Sequence, residues 1–136
     1  MYQSILVPID LGHMPEGKNG IEVAMNLADE GTRITLLNVV EEIPSWAAVE
    51  LPRGLVEKSV DNAQQKLRAI ANANDTQTEV EVRTGHPYQT ILEVAEEKSV
   101  DLIVITSHSP GLQDYFLGST AAKVVRHAKC SVHVIR

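Results

Sequence analysis

The sequence has little of what disulfide-built or aromatic-rich proteins depend on. It contains one cysteine, Cys130, and only 4% of its residues are aromatic. A single cysteine excludes an internal disulfide and fits a reducing compartment. Since Lys129 and Ser131 flank it where a strand begins, we expect a small buried residue rather than a nucleophile. With so few aromatic residues the core must consist of Val, Ile, Leu and Ala, which suits buried parallel strands.

Long hydrophobic runs and excess positive charge are also missing. No apolar stretch approaches the roughly 20 residues that a membrane-spanning helix needs. The first ten residues, MYQSILVPID, lack the basic and apolar regions of an export signal, so we expect a cytoplasmic protein. Acidic residues outnumber basic ones by 18 to 12, giving a formal net charge of -6. That balance argues against non-specific affinity for nucleic acid or anionic membranes.

Several motifs that carry chemistry are absent as well. The sequence has no GxxxxGK[ST] and no GxGxxG phosphate loop, and no GxSxG elbow of a hydrolase. Four histidines have neither an i,i+4 partner nor cysteine partners, which argues against a structural zinc site: His13, His86, His127 and His133. We therefore predict no catalytic residues and no metal ligands.

Apolar periodicity predicts alternating strands and helices along the chain. Strands are predicted at 4–9, 33–40, 78–83, 101–106 and 131–136, and helices at about 17–29, 55–73, from 87 and from about 118 to 129. Gly31 is expected just past the end of the first helix. The last helix is expected to bury Ala121, Val124 and Val125. DLIVIT, the most continuously apolar strand, is expected to be central.

This order of elements predicts the fold class. Strands too apolar to face water require a parallel sheet that is covered on both faces, and right-handed crossovers then wind it in two directions. We predict one α/β domain over residues 1–136, a five-stranded parallel sheet in a doubly wound three-layer α/β/α sandwich. Ligands of such folds bind beyond the carboxyl ends of the strands, where the winding direction reverses.

Two segments with unusual chemistry reach that edge, VPID after the first strand and TSHSPG after the fourth. Asp10 is either an acceptor for a ligand's hydroxyl or amine, or a turn aspartate. His108 either contacts an anion or does acid–base work, or bonds to a loop carbonyl. Gly118, Ser119 and Thr120 begin the last helix, where backbone N–H groups favour a phosphate; the alternative is an ordinary N-cap.

At these residues the sequence resembles the universal stress protein family. The resemblance covers nearly the whole chain, and with SHxP in the loop it is strongest to the small single-domain branch of the universal stress protein F-like and G-like group. The segments that carry it are ILVPID, ITLLNVV, Gly85-His86-Pro87, DLIVITSH and LGSTAAKVVRHAKCSVHVIR. The resemblance implies the same sandwich, of the adenine nucleotide alpha hydrolase-like kind. It also implies a homodimer joined through the last strand, Ser131 to Arg136.

The resemblance further implies a nucleotide site. Family members that bind ATP place the aspartate of the first strand and a valine of the second against adenine and ribose, which correspond to Asp10 and Val39. Their phosphate motif is G-x2-G-x9-G-[ST], of which this sequence keeps Gly118 and Ser119. With the chain aligned on SH, Thr106 and Ser109 occupy the first two glycine positions, and eight residues separate Ser109 from Gly118. Their hydroxyls supply donors where glycine supplies only N–H groups.

We therefore predict a universal stress protein that binds ATP or AMP, with or without Mg²⁺, in a regulatory or sensing role. Two alternatives stay open, a dimeric interaction module that has lost nucleotide binding and a slow ATPase assisted by His108 or Mg²⁺. The predicted nucleotide contacts are Pro8, Asp10, Val39, Thr106, Ser107, His108, Ser109, Gly118, Ser119 and Thr120.

Overall fold

Apolar strands alternate with amphipathic helices in the computed structural model, which describes residues 1–13, 16–42, 45–48, 54–74, 78–107 and 117–136. The strands are β1 Tyr2–Pro8, β2 Ala28–Glu41, β3 Glu79–Gly85, β4 Leu102–Thr106 and β5 Ser131–Ile135. The helices are α1 Glu16–Leu27, α2 Ser45–Ala48, α3 Leu55–Asn74, α4 Pro87–Glu97 and α5 Ser119–His127, with a 3₁₀ turn at Leu11–His13. In the described part of the chain, no helix combines the length and apolar character that crossing a membrane requires.

The five strands form one parallel sheet in the order β3-β2-β1-β4-β5. The predicted α/β fold, with its doubly wound sheet, is confirmed. The central strand, however, is β1, so the prediction that DLIVIT would be central is wrong. Residues 4–7 of β1 and 102–105 of β4 are equally buried. A continuous apolar run indicates burial on both faces, which every interior strand shares, and does not rank interior strands.

Alternate strand residues build two cores, one on each face of the sheet. On one face Ile5, Val7 and Val104 pack with α1 and α3, which supply Ile21 and Leu67. On the other face the neighbouring strand residues pack with α4 and α5: Leu6, Leu37, Ile103 and Ile105 against Ile91, Val94, Ala121 and Val124. This alternation follows from the two-residue period of a strand.

Two local predictions do not match the structure. Val125 was predicted to be buried but is 46% exposed. The buried face of α5 consists of Ala121 and Val124, and the residue after Val124 lies outside that face. Gly31 lies inside β2 rather than just after a helix, with φ of +85°. There the register between β1 and β2 shifts from Tyr2↔Ala28 to Ser4↔Arg33, so the glycine serves a bulge.

The strand order creates a crevice between β1 and β4. From β1 the chain winds outward to β2 and β3, and it then crosses back to β4 and β5 on the other side. The crossover helices on either side of this reversal therefore lie on opposite faces of the sheet, which opens a space beyond the carboxyl ends of β1 and β4.

Candidate functional site

A cleft of about 390 Å³ occupies the reversal point of the sheet. It lies at the carboxyl ends of β1, β2 and β4 and at the amino ends of α4 and α5. Its lining is mostly apolar and includes several polar residues. The described lining residues are Pro8, Ile9, Leu37, Val39, Pro87, Ile91, Ile105 and Ala121, with Asp10, Asn38, Glu41, Thr106, Gly118, Ser119 and Thr120.

Most of the residues predicted from the sequence meet at this cleft. They come from four separate parts of the chain: Pro8, Asp10, Val39, Thr106, Gly118, Ser119 and Thr120. Ser107 lies beside the cleft but does not line it. His108 and Ser109 lie outside the described residues. The structure shows that the seven residues line one cleft. That any of them contacts a ligand stays a prediction.

Asp10 lines the cleft two residues after the end of β1. Its Oδ1 accepts a hydrogen bond from the Gly12 N–H at 2.9 Å, which begins the 3₁₀ turn. Asp10 is thus a turn aspartate, as one of the two interpretations had it, and it also lines the cleft. The two roles are compatible, because an ionised carboxylate accepts more than one hydrogen bond.

Asn38 is a lining residue that the sequence analysis missed. It is buried, and its Nδ2 donates to the Ile9 carbonyl at 2.8 Å. The Ile9 N–H in turn donates to the Leu37 carbonyl at 2.7 Å. These two bonds fasten the end of β1 to β2 and so set Asp10 relative to Val39. The signal in the sequence was an amide inside the apolar run ITLLNVV, since a buried amide needs partners.

The amino end of α5 forms the opposite side of the cleft. Gly118 is the N-cap, with φ of -58° and ψ of 150°, and its carbonyl accepts from the Ala122 N–H at 2.8 Å. Ser119 and Thr120 are therefore the first helical residues, and no side chain of the described residues caps the helix. The N-cap interpretation is wrong for these two hydroxyl residues.

This arrangement makes the start of α5 suitable for an anion. The first N–H groups of a helix have no acceptor within the helix, and the helix dipole makes this end positive. Ser119, Thr120 and Ala121 supply these N–H groups and line the cleft. Glycine at the cap position leaves them uncovered by a side chain of their own segment.

Ser107 holds α5 in place. Its Oγ accepts a hydrogen bond from the Gly118 N–H at 2.8 Å, and its own N–H donates to the Ile135 carbonyl at 2.7 Å. One residue thereby links the end of β4, the end of β5 and the start of α5. Ser107 is predicted from the sequence as a phosphate contact, and in the structure its hydroxyl oxygen also positions α5.

Gly85, His86 and Pro87 position the remaining wall. Gly85 ends β3 with φ of +152°, His86 is the N-cap of α4, and Pro87 is its first residue. A Cβ on Gly85 would lie 2.6 Å from the Thr90 Oγ1, so the turn packs directly on the helix it starts. Pro87 and, one turn later, Ile91 face the cleft as a result.

A second cavity, of about 170 Å³, lies at the amino ends of β4 and β5 and includes Cys130. Cys130 is half-buried, and this burial raises the pKa of its thiol, with a further contribution from the negative charge of Asp101. A raised pKa keeps the thiol protonated and poorly nucleophilic. The expectation of an unreactive cysteine therefore has physical support here, although the side chain is not fully buried.

The comparison with known proteins decides the family. A model of the universal stress protein family matches residues 1–136. The chain belongs to the universal stress protein family. Universal stress protein G of Shigella flexneri is 30% identical to it over an alignment that covers all of both chains. The resemblance predicted from the sequence motifs is confirmed.

Solved structures of the family share the fold. The hypothetical protein MJ0577 aligns with a TM-score of 0.82 at 25% identity, covering 99% of this chain and 96% of that one. A universal stress protein family member from Arabidopsis thaliana, solved with AMP bound, aligns with a TM-score of 0.65 at 20% identity, covering 98% and 90%. At 20% identity, the similarity to the Arabidopsis thaliana protein shows the fold alone.

Proposed function

We propose that this universal stress protein binds an adenine nucleotide, ATP or AMP, and acts as a cytoplasmic regulator or sensor. The observation that carries the proposal is the arrangement of one cleft. Its lining combines a hydrogen-bond acceptor, Asp10, an apolar wall, and the start of α5, which no described side chain caps. A nucleotide presents the matching groups, which are a flat base with its amine, ribose hydroxyls and a phosphate.

The base and ribose are assigned to the β1–β2 side. Val39 and Pro8 supply apolar surface for the base, and the Asp10 carboxylate accepts from a ribose hydroxyl or the base amine. Strand pairing supports this assignment, since Pro8 lies opposite Leu37, two residues before Val39, and the Ile9 N–H bond to the Leu37 carbonyl keeps the chain after β1 beside β2. The hydrogen bond from the Asn38 Nδ2 to the Ile9 carbonyl holds the segment after β1 against β2.

The phosphate is assigned to the β4–α5 side. Thr106, Ser119 and Thr120 supply hydroxyls there, and Gly118 allows close approach to the helix N–H groups. Ser107, His108 and Ser109 complete the proposed set. The described residues contain no group of three or more His, Cys, Asp or Glu able to hold a metal ion. Any Mg²⁺ would therefore enter with the phosphates, as this ion commonly does.

Size and family support the same ligand class. A volume of about 390 Å³ lies in the range of roughly 300–1,000 Å³ typical of small-molecule sites. The Arabidopsis thaliana protein of the same fold was solved with AMP.

Calorimetric titration with AMP, ADP and ATP tests the proposal. Asp10→Asn keeps the Oδ1 acceptor of the turn but removes the charge, so we expect it to fold normally and to bind AMP about tenfold more weakly. Asp61→Asn, an exposed residue of α3, changes the net charge equally and should bind like the wild type. Absence of heat and of a thermal shift at millimolar nucleotide would contradict the proposal and favour an interaction module.

We also propose that the protein forms a homodimer through β5, an edge strand of the sheet. The Ile135 carbonyl points toward β4, where it accepts from Ser107, so alternation directs the backbone groups of Val132 and Val134 outward. Unpaired groups on an edge are a template for pairing with a second copy. Val132 and Val134 are only half-buried in the single chain, so a partner strand would cover apolar surface as well.

A further inference from the structure

The charges around the cleft indicate which adenine nucleotide it prefers. Its described lining residues include two carboxylates, Asp10 and Glu41, and neither lysine nor arginine. Glu41 is the last residue of β2, two positions beyond Val39, so the two lie on the same side of the strand. Within the described ranges Glu41 forms no ion pair, and it is exposed.

Three cations, Arg83, Lys98 and Lys123, contact groups that do not line the cleft. Arg83 forms a bidentate pair with Glu97 and a further contact with Glu81, and Lys98 lies 3.3 Å from both Glu79 and Glu81. These pairs join the end of α4 to β3. On α5, Lys123 lies over the Tyr88 ring, 4.9 Å from its centroid, and does not line the cleft.

The sequence between β4 and α5 does not supply a cation either. From Ser107 to Gly118 it contains no lysine or arginine, and it adds one acidic residue, Asp114. Its other side chain that can carry a positive charge is that of His108. Among the described lining residues, the positive element is thus the amino end of α5, which amounts to only about half an elementary charge.

We infer that the cleft selects adenine nucleotides of low charge, so that AMP binds more tightly than metal-free ATP, and that Glu41 is the residue that imposes this selection. The inference rests on the proposed function. AMP carries about two negative charges near neutral pH and each further phosphate adds roughly one more. Each added charge is repelled by the carboxylates of Asp10 and Glu41, and the described lining residues include no lysine or arginine. Mg²⁺ reduces the charge of ATP and so reduces the discrimination.

The test is calorimetric titration of the full chain with AMP and ATP in EDTA, and with ATP in excess Mg²⁺. At low salt we expect metal-free ATP to bind about tenfold more weakly than AMP, and Mg²⁺ or raised KCl to narrow that ratio. Glu41→Gln should strengthen binding of metal-free ATP about threefold to tenfold and that of AMP by less. Its matched control is Glu42→Gln, which removes the same charge from an exposed neighbour that does not line the cleft.

The outcomes separate this inference from the function on which it rests. If AMP binds and metal-free ATP binds equally well or better, the charge selection is wrong while nucleotide binding stands. If Glu41→Gln and Glu42→Gln change the ATP-to-AMP ratio equally, the selection comes from overall charge, and the assignment to Glu41 is overturned. If neither nucleotide binds, the proposed function itself fails, and the inference fails with it.

Discussion

At the scale of single residues, Gly85 carries two constraints at once. Its φ of +152° lies where residues with a Cβ are strained, and a Cβ there would lie 2.6 Å from the Thr90 Oγ1. We expect Gly85→Ala to lower the free energy of unfolding by about 2–4 kcal/mol, the sum of backbone strain and overpacking. Urea unfolding followed by circular dichroism measures this loss.

Gly31 provides the matched control for Gly85. Its φ of +85° is also positive, but nothing lies within 4 Å of the position of its Cβ. Gly31→Ala should therefore cost only the backbone component, about 1 kcal/mol. In Gly85→Ala/Thr90→Ala the combined loss should be smaller than the sum of the single losses, because the clash is gone. Strictly additive losses would show that the contact with Thr90 is not a cause.

Cys130 yields a prediction about reactivity and pH. Burial and the nearby Asp101 charge raise the pKa of its thiol, so the thiolate fraction at a given pH is lower than for a free cysteine. We expect alkylation by iodoacetamide at pH 8 to be several-fold slower in the folded protein than in denaturant, with the rate rising toward higher pH. A rate in the folded protein equal to that of the unfolded chain would contradict the prediction.

At the scale of elements, a side chain at the end of β4 holds the start of α5. The Ser107 Oγ accepts the Gly118 N–H at the start of the helix. We expect Ser107→Ala to cost about 0.5–1.5 kcal/mol of stability, since that N–H loses its acceptor. AMP binding should weaken a few-fold, because the N–H groups that face the cleft are less well held. Thermal unfolding and calorimetry give the two quantities.

Two further variants serve as controls for this prediction. Ser107→Thr keeps the hydroxyl oxygen and should retain the stability and the AMP affinity of the wild type. Ser59→Ala removes a partly exposed serine whose hydroxyl donates within α3, to the Leu55 carbonyl, and should stay within about 0.5 kcal/mol of the wild type. Binding by Ser107→Ala at wild-type affinity would show that the start of α5 is held by its packed face alone.

The amino ends of β1 and β4 are joined through Asp101. Its carboxylate accepts the N–H groups of Gln3 at 2.9 Å and Ser4 at 3.0 Å. Partial burial alone would raise the pKa of this carboxyl, but the hydrogen bonds from Gln3 and Ser4, together with the Asp101 N–H and the charge of the N-terminus, outweigh burial, so its pKa lies below the usual value. A carboxyl with a lowered pKa in the folded state stabilises the protein above its unfolded pKa, and that contribution is lost as pH falls.

Asp101→Asn tests this connection. The amide keeps one acceptor oxygen and replaces the other with a donor, so we expect a loss of about 1 kcal/mol near pH 7. The difference between wild type and variant should shrink as the pH is lowered below about 4, where the wild-type carboxyl becomes protonated. Asp61→Asn serves as the charge control. A difference that stays constant from pH 7 to pH 3 would contradict the role of the charge.

At the scale of the whole molecule, the proposed dimer is tested by blocking the outer edge of β5. Proline at position 134 removes an N–H that points away from β4, so Val134→Pro should leave the β4 ladder largely intact. We expect the wild type to sediment as a dimer at micromolar concentration and Val134→Pro as a folded monomer. A wild-type protein of monomeric mass under those conditions would contradict the proposal.

The arrangement of the whole sheet explains which residues of the site could be predicted from the sequence. Asp10, Thr106 and Gly118 were identifiable because each follows an apolar strand or starts a helix, and parallel strands bring such ends to one edge. Asn38 and Glu41 were not predicted. The amide inside ITLLNVV indicates a buried polar group, but no local pattern shows that it joins two strands, and none shows that the Glu41 carboxylate lies at a cleft. Val125 was misplaced because one helical position decides between a buried and an exposed side chain.

By itself the sequence determined the kinds of elements, the fold class and the family, because hydrophobic period, breakers and motifs are properties of neighbouring residues. Only the tertiary structure decided which strand is central, that Gly118 rather than Ser119 caps α5, and that Ser107 holds this helix. It also decided that the cleft is lined by two carboxylates. These facts concern residues up to a hundred positions apart, and their distances are set by how the layers pack.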